Sequence, residues 1–135
     1  ALVSMGALHF FLPIAYILRP PYSTSGSFLF IAGAVVVLWA ARLFSWVGTT
    51  IRPFQEPSAL VTSGPYRLSR NPIYLGLLLA LIGIGLLLGT LSPFVVVPVF
   101  VCLIQQRFIQ PEEAVLEKTF GSAYGQYKRQ VRRWL

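Results

Sequence analysis

The residues best suited to chemistry lie in two polar stretches, each beside a long apolar run. The first stretch is SGPYRLSRNPIY, residues 63–74, and the second holds the adjacent pair Glu112 and Glu113. A carboxylate at the end of an apolar helix can bind a cationic or hydroxyl-bearing ligand. It can also serve only to complement the positive end of the next helix. The residue types alone leave both interpretations of the glutamate pair open.

Other reactive side chains are few. His9 is the only histidine and Cys102 the only cysteine, so we predict no metal centre and no disulfide. We expect His9 to form a hydrogen bond between helices, and Cys102 to fill apolar space because no partner for a thiolate is evident. The glycines of GIGLLLG lie inside an apolar run and follow no predicted strand, so they do not indicate a nucleotide-binding loop. Gly85 and Gly89 among them have the spacing that permits close helix packing.

The composition is typical of a membrane protein. The 135 residues are 56% hydrophobic and 11% charged, with a mean hydropathy of +0.70. Soluble domains are about 45–50% apolar and about 25% charged. The net charge of +7 could indicate a nucleic-acid partner. The basic residues, however, cluster at the ends of apolar runs and in the tail, where they would face anionic lipid headgroups. We therefore expect membrane lipids, and not nucleic acid, as partners.

The apolar runs predict an all-α integral membrane fold of one domain, residues 1–135, with about four transmembrane helices. About 20 apolar residues cross a bilayer as a helix. The expected spans are residues 2–18, 27–46, 72–89 and 91–109. The short TLS turn makes a helical hairpin of the last two spans. The loop 48–71 should carry the site, and the tail 111–135 should form two short helices interrupted at Gly121, the second lying among the headgroups.

The charges predict the orientation of the chain in the membrane. With four spans, the loop 48–71 and the tail lie on the same side. Every lysine and arginine except Arg19 falls on that side, together with every glutamate. The positive-inside rule makes this the cytoplasmic side. We therefore expect a multi-pass membrane protein whose polar site and C-terminal tail face the cytoplasm.

In combination, these motifs resemble those of the isoprenylcysteine carboxyl methyltransferase and phospholipid methyltransferase superfamily. The resemblance rests on LVTSGPYRLSRNPIYLG, a helical hairpin, the Glu-Glu pair and FGSAYGQYKRQVRRWL, in the order and spacing of that family. It covers residues 48–135, roughly two thirds of the chain. It implies a small integral membrane enzyme that uses S-adenosyl-L-methionine.

The resemblance also implies roles for particular residues. Asn71, Pro72 and Tyr74 stand where a His-Pro-x-Tyr sequence contacts the cofactor in the family. Glu112 stands where a glutamate holds the polar end of the cofactor, and Arg107 is the candidate for orienting a carboxylate acceptor. The resemblance also implies that five residues line the cofactor pocket, namely Ser58, Ala59, Leu60, Val61 and Tyr66.

The implied reaction is methyl transfer to a lipophilic or prenylated substrate that enters from the bilayer, most simply carboxyl methylation of an isoprenylcysteine-like acceptor. A sulfonium donor is already activated, so the protein has mainly to align the nucleophile and exclude water. Methylation of a phospholipid amine is the alternative, and it requires a base. Glu113 is the candidate base, because Asn71 in place of the family histidine cannot titrate. A non-catalytic membrane scaffold with the same fold is the remaining alternative.

Overall fold

The computed structural model of the chain describes residues 1–47 and 58–135, so the first part of the predicted loop lies outside the described residues. Within this part the fold is all-helical, as predicted. The α-helices are α1 (Leu2–Phe11), α2 (Gly26–Val47), α3 (Pro72–Leu88), α4 (Val96–Ile104) and α5 (Gln110–Gln130). Short 3-10 turns are formed by Tyr22–Ser25, Gly64–Arg67 and Ser92–Val95.

Among the residues that the structure describes, two helical runs are long and apolar enough to cross a bilayer. They are Tyr22–Leu43 and Ser92–Gln130, whose best windows have mean hydropathies of 1.9 and 1.6. Only 17% of the residues in each window are buried within the protein, so most of this apolar surface faces outward. An exposed apolar surface of this size is expected of a helix that contacts lipid. The α1 and α3 helices have only 10 and 17 residues. The four predicted spans are therefore not all present as helices of full spanning length.

The helix expected over residues 2–18 ends early, at Phe11. Proline disfavours the helical conformation of the residue that precedes it. Leu12 precedes Pro13 and accordingly leaves the helix, with φ −142° and ψ 61°. The prediction of one helix over residues 2–18 was wrong, because it rested on hydrophobicity alone and Pro13 ends the helix.

The residues after α1 are extended and pair with the turn between α3 and α4. The Ile17 N–H donates to the Gly89 carbonyl at 2.7 Å, and the Leu91 N–H donates to the Ala15 carbonyl at 2.9 Å. Backbone polar groups at membrane depth need protein partners, because lipid tails offer none. These bonds supply such partners for a stretch that is not helical.

Contacts group the chain into two compact units. The first unit comprises Ala1–Val35 and Gly76–Cys102, and the second comprises Val36–Leu75 and Leu103–Leu135. In the first unit, His9 Nδ1 lies 2.8 Å from Thr90 Oγ1. His9 therefore forms a hydrogen bond to a distant segment, as the sequence suggested, although the partner lies in a turn and not in a helix.

Small residues bring the backbones of α2 and α3 together in the first unit. A Cβ atom added to Gly33 would lie 2.7 Å from the Ala80 nitrogen, and one added to Gly83 would lie 2.6 Å from the Phe30 nitrogen. Backbone atoms cannot move aside as a flexible side chain can. Together with Gly26, which meets the α3 backbone in the same way, these glycines allow the two helices to approach closely.

The two glycines that the sequence selected for packing have other roles. Gly85 lies against the ring of Phe94, where an added Cβ would be 2.9 Å from the ring carbon Cζ. Gly89 has φ +73° and lies in the turn after α3, a conformation that glycine adopts without strain. Both positions do allow a close approach, as the sequence predicted, but to the Phe94 ring and to the Leu18 backbone and not to a second α-helix.

The helical run that follows the Ser92–Val95 turn contains one π-helical turn and one break. Between α4 and α5, residues Gln105–Ile109 form a π-helical turn. Within α5, Gly121 has φ +48° and separates two helical pieces, as the sequence predicted. All the residues of the candidate site belong to the second unit.

Candidate functional site

The polar stretch before α3 forms two successive turns. Gly64, with φ +59°, opens the 3-10 turn Gly64–Arg67. The Asn71 carbonyl then accepts the first bond of α3, from the Leu75 N–H at 3.0 Å. Pro72 occupies the first helical position, where its lack of an N–H costs no hydrogen bond. The glycine and the proline thus fix where the stretch turns and where α3 begins.

A small apolar core supports these turns. Val61 and Tyr66 are buried and pack with Ala40, with Leu43 and Ile73 at the edge of the cluster. Two of the residues expected to line a cofactor pocket are therefore core residues of this unit. Of the others, Ala59 and Leu60 are partly buried and Ser58 is exposed.

Tyrosine hydroxyls tie α5 to the same turns. The Tyr127 hydroxyl donates to the Tyr66 carbonyl at 2.7 Å. Burial raises the pKa of both tyrosines above the ordinary value, so both hydroxyls stay protonated at physiological pH. Tyr127 therefore remains a hydrogen-bond donor throughout that range.

Glu113 is buried between two arginines. Its Oε1 lies 3.1 Å from Arg70 Nη1, and its two oxygens accept from Arg133 Nε at 3.0 Å and Arg133 Nη2 at 2.6 Å. This bidentate arrangement is the strongest geometry of an arginine–carboxylate pair. Both oxygens are thus committed to cations, which disfavours Glu113 as the proton acceptor that the sequence suggested.

The segment after α5 returns to the start of α3. The Arg70 N–H donates to the Arg132 carbonyl at 2.9 Å. Ser69 Oγ and Asn71 Nδ2 donate to the Arg133 carbonyl at 3.2 Å and 3.0 Å. The amide of Asn71 therefore holds the segment after α5 against the start of α3.

Glu112 has surroundings unlike those of its neighbour. Its Oε1 accepts a hydrogen bond from the Tyr74 hydroxyl at 2.8 Å. Ion pairs within the described residues involve Glu113 and Glu117, but none involves Glu112. Burial raises the pKa of this carboxyl, and the Tyr74 hydrogen bond lowers it in part. Glu112 is thus a partly buried carboxylate without a cationic partner in the described part of the chain.

Arg107 is exposed and lies in the π-helical turn. Such turns insert an extra residue into a helix and are frequent at functional sites. The next residue, Phe108, has its ring 6.3 Å from that of Tyr74. Arg107 therefore lies one residue away from a side chain that borders the Tyr74–Glu112 pair.

The structure brings some of the predicted site residues together and separates others. Tyr74 and Glu112 are in contact, while Asn71 and Glu113 both bind the tail segment. Sequence reasoning missed a larger set of site residues, which comprises Ser69, Arg70, Tyr124, Tyr127 and Arg133. These residues lie in the first polar stretch and in the tail, and no spacing rule pairs side chains so far apart along the chain.

The fold and the site define a helical membrane protein with a polar site at the start of an apolar helix. Residues 22–123 match the family described as phospholipid methyltransferase. The chain belongs to this family, as the sequence motifs indicated. The methyltransferases of this family and of its isoprenylcysteine relatives use S-adenosylmethionine.

Three individual proteins are similar to this chain. The fold is similar to that of a eukaryotic intramembrane Ras methyltransferase (isoprenylcysteine carboxyl methyltransferase), with a TM-score of 0.69 and 26% identity. The match covers 96% of this chain and 47% of that one. A Haemophilus influenzae protein described as uncharacterized is 44% identical over 63 residues, which are 47% of this chain and all of that protein. The Cupriavidus metallidurans cobalt-zinc-cadmium resistance protein CzcN is 33% identical over 77 residues, 57% of this chain and 35% of CzcN.

Proposed function

We propose that this chain is an S-adenosylmethionine-dependent methyltransferase that acts at the membrane on a lipophilic acceptor. The observation that carries the proposal is the state of Glu112, a partly buried carboxylate that lacks a cation among the described residues. Burying a carboxylate without a partner is costly, so such a site favours a ligand that brings positive charge. The cofactor carries an ammonium and a sulfonium, and therefore fits this requirement.

The first residues of α3 and α5 would hold the cofactor. The Tyr74 hydroxyl fixes one oxygen of Glu112, which leaves the other oxygen for a cation of the ligand. Asn71 and Pro72 would support the pocket by fixing the start of α3. The residues that we propose to line the cofactor pocket remain Ser58, Ala59, Leu60, Val61 and Tyr66. Of these, Val61 and Tyr66 would contribute indirectly, as buried core residues beneath the pocket.

When bound, S-adenosylmethionine supplies an activated methyl group, and the residues of the chain have to orient the acceptor and exclude water. A carboxylate acceptor needs no proton removed, and the exposed guanidinium of Arg107 is suited to orient it. An amine acceptor has to lose a proton to a base. Glu113, the candidate base, is already paired with Arg70 and Arg133 and is therefore less available to accept a proton. This pairing favours a carboxylate acceptor, such as an isoprenylcysteine, over an amine acceptor.

Phospholipid amine methylation is the second candidate, because the family that matches the chain is described as phospholipid methyltransferase. In either case the acceptor would enter from the bilayer, beside the outward-facing apolar surfaces of the long helices. The excess of basic residues around the site supports a cytoplasmic location for the site.

The test is methyl transfer by the purified protein in nanodiscs, with methyl-labelled cofactor. One set of nanodiscs carries a prenylated cysteine with a free carboxylate, and the other carries phosphatidylethanolamine. We expect label in the prenylcysteine ester, loss of transfer in Glu112→Gln, and little change in the control Glu117→Gln. Label only in the amine lipid would favour the second candidate. A folded protein that labels neither lipid would favour a scaffold.

A further inference from the structure

A buried cluster of three charged side chains lies outside the groups that the proposed reaction uses. It consists of Glu113 between Arg70 and Arg133, and we call it the arginine clamp. The side chains of Arg70 and Glu113 are each 10% exposed, and that of Arg133 is 34% exposed. Arg70 Nη1 also donates to the Tyr124 hydroxyl at 3.3 Å. A buried charge cluster of this kind is a costly arrangement, so its position in the fold indicates a role.

The charges of the clamp depend on one another. One carboxylate faces two guanidinium groups, so Glu113 is the group that keeps the two arginines together. Hydrogen bonding to Glu113 raises the pKa of Arg133, so this guanidinium stays charged. Without the carboxylate, two like charges would remain side by side, and that of Arg70 is largely shielded from water. Loss of Glu113 should therefore open the clamp.

The clamp joins three segments that are distant in sequence. Arg70 belongs to the turn before α3, Glu113 to the first turn of α5, and Arg133 to the segment after α5. Backbone bonds reinforce the junction, since the Arg70 N–H donates to the Arg132 carbonyl. The first of these segments leads directly into α3, which carries Tyr74, and the second also carries Glu112.

The geometry points to Glu113 as a positioning residue. By holding Arg70 and Arg133, it fixes the start of α3 against the start of α5, so that the Tyr74 hydroxyl meets Glu112. Residues 131–135 thereby support the proposed cofactor site through Arg133. This inference rests on the proposed function, because Glu112 is taken as the group that binds the cofactor.

The experiment compares two substitutions of the same chemistry on the same helix. Glu113→Gln removes the charge that holds the clamp, and Glu117→Gln removes an exposed charge that pairs with Lys128. Cofactor affinity is measured by calorimetry in nanodiscs, at a temperature where both variants are folded. We expect Glu113→Gln to raise the Kd at least tenfold and Glu117→Gln to change it less than twofold.

A double-mutant cycle distinguishes the positioning role of Glu113 from a purely structural role. If Glu113 acts through Glu112, then Glu113→Gln should weaken binding much less in a Glu112→Gln background than in the wild type. Equal effects in both backgrounds, or a lowered melting temperature with unchanged Kd, would overturn the inference.

A second pair of variants covers the case in which Glu113→Gln does not fold. Arg133 is partly exposed, and Arg133→Lys keeps one charged donor whereas Arg133→Gln keeps none. We expect Arg133→Lys to retain more affinity than Arg133→Gln, and equal affinity in the two would refute the clamp. A folded wild-type protein that does not bind would remove the proposed function itself. Binding that is indifferent to the clamp variants would remove only the positioning role.

Discussion

Replacing Tyr74 with phenylalanine tests the proposed cofactor contact with the smallest change that the structure offers. The substitution removes one hydroxyl, which lies 2.8 Å from Glu112 Oε1, and it keeps the ring that lies beside Phe108. The carboxylate then loses the hydrogen-bond donor that holds it. We therefore expect weaker binding of the cofactor without loss of the fold.

The size of the effect follows from the strength and exposure of this hydrogen bond. A hydrogen bond to a charged group contributes about 1.5–3 kcal/mol. Glu112 is only partly buried, so water can replace part of the lost interaction. A net loss of about 1 kcal/mol is reasonable, which corresponds to a Kd increased about fivefold.

The same substitution should move the pH dependence of binding. Burial raises the pKa of Glu112, while the hydrogen bond from Tyr74 lowers it in part. A cationic ligand requires the ionised carboxylate, so affinity should fall as the pH drops through this pKa. Because Tyr74→Phe removes the lowering contribution, the loss of affinity should begin at a higher pH than in the wild type.

The assay is calorimetric titration of S-adenosylmethionine at a series of pH values that starts at the ordinary glutamate pKa of about 4.3 and rises to neutrality. Tyr22→Phe is the matched control, because Tyr22 is exposed and lies in the first unit. An unchanged Kd and an unchanged pH midpoint in Tyr74→Phe would refute the proposed role of the Tyr74–Glu112 pair. A downward shift of the midpoint would refute the reasoning about the pKa.

Three further predictions concern stability and are measured by thermal unfolding in detergent. Asn71→Ala should lower the melting temperature by a few degrees, because the bond to the Arg133 carbonyl contributes about 1 kcal/mol; an unchanged melting temperature would contradict the described contact. Tyr127→Phe should cost about 1–2 kcal/mol at any pH near neutrality, because its buried hydroxyl stays protonated; a strong pH dependence would contradict this. Gly33→Ala should lower the free energy of unfolding by about 1–3 kcal/mol, because the added methyl group clashes with the backbone of α3. The control Gly6→Ala should not lower it, because no neighbouring atom lies within 4 Å of the added methyl group.

The sequence predicted those features of the fold that depend on local patterns. Long apolar runs predicted α2 and the helical run that begins at Ser92, and a glycine predicted the break at Gly121. The early end of α1 could also have been predicted, because Pro13 was visible in the sequence. The π-helical turn could not, since no residue type in QQRFI marks it.

The candidate site was predictable in its residue types but not in its pairings. The Glu-Glu pair and the Asn-Pro-x-Tyr motif were recognised, and Tyr74 does contact Glu112. The two glutamates are adjacent and chemically identical, so their sequence could not indicate which one binds arginine. That difference arises from tertiary packing, which places Arg70 and Arg133 beside Glu113 alone.

Binding of S-adenosylmethionine to the purified protein in nanodiscs is the most direct test of the central claim. Calorimetry should give saturable binding to the wild type, and Glu112→Gln should weaken it at least tenfold, a change of about 1.4 kcal/mol. Glu117→Gln should bind as the wild type does. A folded wild-type protein that does not bind, or a Glu112→Gln variant that binds equally tightly, would contradict the assignment of the cofactor site to Glu112.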